Sequence, residues 1–140
     1  MLQRIQTVWL LIASALSFAT LSNSISFYSG NKLVENVSRF VPLTARENIF
    51  ILILTVSIAV AALVTVFLFK DRKMQLKVTL GVFAVSIANI GLYYLQAKNY
   101  VEGKMDLTSL ASFAIPVFLL MAARGIWKDE QLVKSVDRLR

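Results

Sequence analysis

The chain has 140 residues, of which 57% are hydrophobic and only 16% charged, and its mean hydropathy is +0.67. These values exclude disorder, which needs low hydrophobicity, and shift the chain from the soluble toward the membrane class. The formal net charge is +7, with no Cys and no His. Disulfides, thiolate metal sites, Cys nucleophiles and the commonest general base are therefore all absent.

Four gaps between charged residues are long enough to matter. They are 27 residues between Arg4 and Lys32, 22 between Glu47 and Lys70, 20 between Lys77 and Lys98, and 17 between Asp106 and Arg124. A helix needs about 20 mostly apolar residues to cross a hydrocarbon core roughly 30 Å thick. Lipid offers no partner to backbone amides, so each span must be a helix. The expected fold is all-α, an integral membrane four-helix antiparallel bundle forming one domain over residues 1–140. Its spans fall at about 6–28, 48–69, 78–97 and 107–125, with an outer loop at 30–46 and a cytoplasmic tail at 126–140.

The first span is apolar from Val8 to Leu21 and then turns polar at Ser22, Asn23, Ser24, Ser26 and Ser29. Arg4, an apolar stretch and small residues near Ala19 and Thr20 also have the make-up of a cleaved leader; the expectation is a retained span. In the outer loop Leu33, Val37, Phe40 and Val41 fall at i, i+4, i+7 and i+8. That spacing predicts a short amphipathic helix on the membrane surface, although an extended form is not excluded. Asn36-Val37-Ser38 matches a glycosylation sequon too common to weigh. Thr44 and Glu47, following Pro42, have the spacing of a capping box for the second span.

Residues 70–77 form a tight turn that sets the second and third spans antiparallel. Small residues then recur. Ala13 and Ser17, and Ser57, Ala61 and Thr65, stand four apart; Gly81, Ala84, Ala88 and Gly91 follow at steps of 3, 4 and 3. Such stripes let helices approach closely in lipid. The expected use is packing inside the bundle; the alternative is that one stripe faces another subunit. Asn89 is the one strongly polar side chain near mid-span, and a bond across the bundle is expected. Pro116 removes the backbone bond to the Ser112 carbonyl and predicts a kink in the fourth span. The tail reads as a continuing helix. Leu132, Val133, Val136 and Leu139 make an apolar stripe, read equally as a solvated helix end or as a stripe that docks on the membrane face or a partner, and Glu130 and Lys134 form an i, i+4 pair.

If short loops alternate sides, ten Lys and Arg fall on the side of both termini and five on the other. The positive-inside rule then places both termini in the cytoplasm. Trp9 and Trp127 sit at the inner interface of this scheme, and Tyr28, Tyr93, Tyr94 and Tyr100 near the outer one. Lys70, Arg72, Lys73, Lys77, Arg124 and Lys128 ring the cytoplasmic headgroups, each worth about 1 kcal/mol toward anionic lipid. Topology thus accounts for the basic balance, and nucleic acid is not an expected partner.

The spans hold no ionisable residue in their middles, the usual mark of transport and proton relay. There is no Gly-rich phosphate loop and no HExxH, a Ser-His-Asp triad is impossible, and the adjacent Asp129 and Glu130 point to different helix faces. The expectation is a protein that is not an enzyme and needs no cofactor.

The start, MLQRIQTVWLL, and the finish, RGIWKDEQLVKSVDRLR, carry Gln3-Arg4-Ile5-Gln6-Thr7, Lys128-Asp129-Glu130, Leu132-Val133 and Asp137-Arg138-Leu139-Arg140. In these the chain resembles a bacterial family of small four-span membrane proteins described only as a domain of unknown function. The resemblance implies a bacterial cytoplasmic (inner) membrane and a four-helix integral domain, and it carries no catalytic or binding residues. The expected role is an accessory or scaffold subunit that meets itself or other membrane proteins. The alternative is a small transport or lipid-handling protein with a polar cavity near Asn89, Ser57 and Ser86.

Overall fold

The structure, a computed structural model, describes residues 5–139. Arg4 and Arg140 of the charge count, and Gln3 of the N-terminal motif, lie outside the described residues. The elements are α1 (Ile5–Ala19), β1 (Tyr28–Val34), β2 (Val37–Leu43), α2 (Ile49–Phe67), α3 (Arg72–Ala97), β3 (Glu102–Met105) and α4 (Ser109–Arg138). The chain is mostly helical but not all-α, because a three-stranded sheet is inserted between helices.

The helical part follows the charge gaps. α2 is rich in β-branched residues, which favour strand by propensity alone, yet it is helical throughout. Its start is fixed by Asn48, whose Oδ1 accepts from the Phe50 amide at 2.8 Å. The expected capping box is not formed. The Glu47 amide instead donates to the Thr44 carbonyl at 3.2 Å, closing a separate turn ahead of the helix, whose N-cap is Asn48. α3 is capped by Asp71, which accepts from the Met74 amide at 3.1 Å. α4 runs without interruption through Pro116 and on through the tail to Arg138.

α2, α3 and α4 are each long and apolar enough to cross a membrane. α1 has 15 residues, about 22 Å of helix, and it stops at Ala19, short of the predicted limit at 28. Ser22, Asn23 and Ser24 explain the early stop, since their side chains compete with helix for backbone bonds; the Ser24 amide donates to the Ser22 hydroxyl at 3.3 Å. The helices close into a ring in which α1 packs on α2 and α4, and α3 packs on the same two. Leu10, Ile58, Val82, Ile115 and Leu119 fill its middle. Phe27, Leu43, Ile51 and Tyr93 fill the end nearer the sheet, where Phe27 and Tyr93 stack at 4.6 Å.

The sheet has the order β2-β1-β3, antiparallel throughout. It overturns the amphipathic-helix reading of the outer loop. Glu35 and Asn36 both have positive φ, 52° and 63°, the signature of the two-residue turn that matches strand twist. The turn pairs Val34 with Val37. Alternation then sends Val37 and Val41 to one face and Leu33 and Phe40 to the other, so the four make no common stripe. Gly30 pairs with Gly103 across β1 and β3. A Cβ on Gly30 would lie 2.2 Å from the Glu102 carbonyl oxygen, and one on Gly103 would lie 2.4 Å from the Tyr28 ring. Both glycines are there because the strands and the ring leave no room. The sheet is clasped to the helices at Asp106, whose carboxylate accepts from the Ser26 and Ser29 hydroxyls. Thr108 adds a bond to the Ser26 carbonyl at 2.6 Å.

Candidate functional site

The α2–α3 pair gathers most of the residues singled out in the sequence, and its two long faces differ in chemistry. The inward face of α3 carries Gln75, Thr79, Val82, Ser86, Asn89 and Tyr93, all buried. Their steps of 4, 3, 4, 3 and 4 form the repeat that keeps one helix face on its neighbours. Two side chains cross to α2. Gln75 Nε2 donates to the Thr65 carbonyl at 3.0 Å, and Asn89 Nδ2 donates to Thr55 Oγ1 at 3.0 Å. The expected cross-helix bond of Asn89 is therefore present. The amide oxygens of Gln75 and Asn89 accept no bond from any described residue.

The buried hydroxyls need no ligand to explain them. Thr55, Thr65, Thr79 and Ser17 each donate to a carbonyl four residues earlier, at 2.6–2.8 Å. Ser86 donates to the Phe83 carbonyl at 2.7 Å. Ser14 instead reaches across to the Ala59 carbonyl of α2 at 2.9 Å.

The small-residue stripe of α3 does not pack inside the ring. Gly81, Ala84, Ala88 and Gly91 are all exposed, and a Cβ built on either glycine meets nothing within 4 Å. The reason is periodic. The polar repeat claims the inward face, and the stripe lies on the opposite side of the same helix. On α2 the Ser57, Ala61 and Thr65 set divides: Thr65 is buried, Ala61 half-buried and Ser57 exposed. Ser57, Ala61 and Gly81 floor a shallow apolar groove of about 330 Å³ between α2 and α3. Ser57 thus stands outside, apart from the interior that holds Ser86 and Asn89.

At the turn end of this pair the basic residues separate. Arg72 donates to the Asp129 carbonyl of α4 at 3.0 Å. Lys70 and Lys73 line a cleft of about 690 Å³ with Asp71, Glu130, Lys134 and Asp137. Lys134 pairs with Glu130 at 2.8 Å. That hydrogen bond, with Lys73 adding a smaller charge effect, holds the Glu130 carboxyl below the usual range. Arg124 and Lys128 are exposed on α4, away from this turn in sequence. The tail stripe Leu132, Val133, Val136 and Leu139 is exposed throughout.

At the sheet end Tyr28 and Tyr100 meet edge to face at 5.5 Å. Burial, and then the charge of Glu47, raise the Tyr100 hydroxyl above its ordinary value. Sequence reasoning did not single out Asp106, Ser26 and Ser29; the hydroxyl-rich run at 22–29 was the available signal. Among the described residues, no group of three or more His, Cys, Asp or Glu is placed to hold a metal ion.

Fold and site together define a small, mostly helical protein with three helices apolar and long enough to cross a membrane, capped by a minimal sheet. Residues 2–139 match the family described as Domain of unknown function (DUF4293), and the chain belongs to that family. No curated protein matches the chain, and no solved structure does either.

Proposed function

We propose that the chain is a non-enzymatic multi-pass protein of a bacterial inner membrane, a four-helix antiparallel bundle that acts as an accessory or scaffold subunit. In this reading α1 completes the span count and both termini lie in the cytoplasm. Other membrane subunits, or further copies of the chain, are the partners, and anionic headgroups surround the lysine-rich end. One observation carries the reading. The small-residue stripe of α3, Gly81, Ala84, Ala88 and Gly91, is exposed rather than packed inside the bundle. Helices associate in lipid through such surfaces, where backbones can approach closely. The exposed tail stripe of Leu132, Val133, Val136 and Leu139 offers a second contact outside the bilayer.

The chain has no Cys, so an introduced one reports a single position. Ala88→Cys should crosslink in native membranes, to a second copy or to another membrane protein. Leu120→Cys, on the exposed side of α4, should not. If neither or both crosslink, the stripe is not the assembly surface. A reporter fused after Arg140 that is active only outside the cytoplasm would overturn the orientation.

A further inference from the structure

The outer strands of the sheet are β2 and β3, and they are not equally protected. β2 carries Pro42, which has no amide to donate, and Arg39, whose charge repels its own copy in a pairing centred on it. β3 carries no proline, and Glu102 to Met105 are all exposed. Its unused backbone groups follow from the register. The Asp106 amide donates to the Phe27 carbonyl just ahead of β1 at 3.2 Å, and Met105 stands opposite Tyr28. Backbone groups alternate sides along an antiparallel strand. Lys104 and Glu102 therefore also turn their amides and carbonyls toward β1. Gly103 and Met105 turn theirs away from it, as an unpaired edge.

The side chains of this edge complement themselves. Glu102 and Lys104 share one face of the sheet, and their partners in β1 are the neutral Asn31 and Ser29. Among the described residues neither forms an ion pair. Val101 and Met105 flank Gly103 on the other face and are 65% and 46% exposed. A second copy laid antiparallel, with Gly103 opposite Gly103, sets Glu102 against Lys104 on both sides of the centre and Val101 against Met105 beyond. This register also pairs the outward backbone groups of Gly103 with each other. Sliding by two residues is the smallest slip that keeps outward groups together. It sets Glu102 against Glu102 in one direction and Lys104 against Lys104 in the other, and like charges directly opposite are destabilising. We infer that β3 is an interface between two copies of this chain, joined edge to edge about a two-fold axis at Gly103 into one continuous sheet. The inference goes beyond the scaffold reading and uses no residue of the α3 stripe.

The test is disulfide formation by the full chain in native membranes under a mild oxidant; the chain has no Cys of its own. Chains with Glu102→Cys, coexpressed with chains with Lys104→Cys, should join as a disulfide-linked pair. Residues opposite at such a non-hydrogen-bonded position lie about 4.5 Å apart at Cα, within disulfide range. Either variant alone should not dimerise, because its two copies sit two residues out of line, about 8 Å apart and beyond that range. Charge reversal tests the same register without oxidation. Glu102→Lys or Lys104→Glu alone should weaken association about tenfold, read by energy transfer between labelled copies in liposomes. Mixing the two variants should restore it, since each then supplies the charge the other lacks, and recovery shows that both fold. No disulfide between the mixed Cys variants overturns the inference, as does equal yield from either variant alone or no recovery in the charge-reversed mixture. Crosslinking of Ala88→Cys without a disulfide at the edge sinks this inference and leaves the α3 stripe as the assembly surface; the reverse result sinks the stripe and leaves the edge.

Discussion

Gly30→Ala is the sharpest test of how the sheet is held. The added methyl would sit 2.2 Å from the Glu102 carbonyl oxygen and 2.6 Å from the Gly103 Cα. Both are backbone atoms, so no rotamer change relieves the contact. β1 must draw away from β3. That weakens the Tyr28–Met105 to Asn31–Glu102 register and the 2.9 Å bond from the Val101 amide to the Asn31 carbonyl. Overpacking costs about 1–3 kcal/mol in general, and backbone against backbone belongs at the upper end. An expected loss of about 3 kcal/mol is roughly 150-fold in the local opening equilibrium. Amide hydrogen exchange over Glu102–Met105 in the full chain reads this directly. Gly81→Ala is the control, because its methyl meets nothing within 4 Å; it should cost nothing and gain up to about 1 kcal/mol of helix propensity. Unchanged exchange in Gly30→Ala, or equal damage from both, would refute the steric account.

Glu35→Asn with Asn36→Gly should stabilise the hairpin by about 1 kcal/mol, since both positions have positive φ and Glu is the poorer fit; slower exchange in β1 and β2 reports it. Asn89→Leu should cost no more than about 1 kcal/mol in detergent unfolding, because it removes both the Thr55 bond and an unpartnered amide oxygen. The Glu130 carboxyl is held below its ordinary value by Lys134. A depressed carboxyl supports the fold above its ordinary range and loses that support as pH falls through it. Acidification should therefore fray the tail beyond Trp127, seen as lost helical circular dichroism, and Lys134→Gln should remove the pH dependence.

What the sequence disclosed and what it hid follow from range. The charge gaps located α2, α3 and α4 because a span is a local property of about 20 consecutive residues. The tail helix was readable from its own periodicity, and the Glu130–Lys134 pair from its i, i+4 spacing. The sheet was not readable, because β3 joins β1 from some 70 residues away, and Leu33, Val37, Phe40 and Val41 satisfy a helical period by coincidence. Glu35-Asn36 is a weak turn signal beside Asn-Gly. The stripe on α3 was visible as a stripe, but its direction depends on where the opposite face goes. Gln75, Thr79, Ser86 and Asn89 decide that by turning inward, and an inward polar face is the reverse of what hydropathy alone leads one to expect.

That reversal is the strongest physical support for a lipid environment. Ser14, Ser17, Thr55, Thr65, Gln75 and Thr79 are each no more than 1% exposed, whereas Ile53 is 55%, Val60 46%, Leu80 47%, Ile87 49% and Val117 54% exposed. In water this arrangement would forgo roughly 25 cal/mol for every Å² of apolar surface left outside. It would also gain little from hydroxyls that merely bond their own helices. In hydrocarbon the outward residues cost nothing, and these inward hydroxyls find their bonds inside the bundle, away from lipid. The expected outcome is that the full chain sediments with membranes and stays there after alkaline carbonate extraction, while detergent releases it. Release by carbonate as a monodisperse soluble monomer would mean that the apolar surface tolerates water, and the span assignments of α2, α3 and α4 would fall with it.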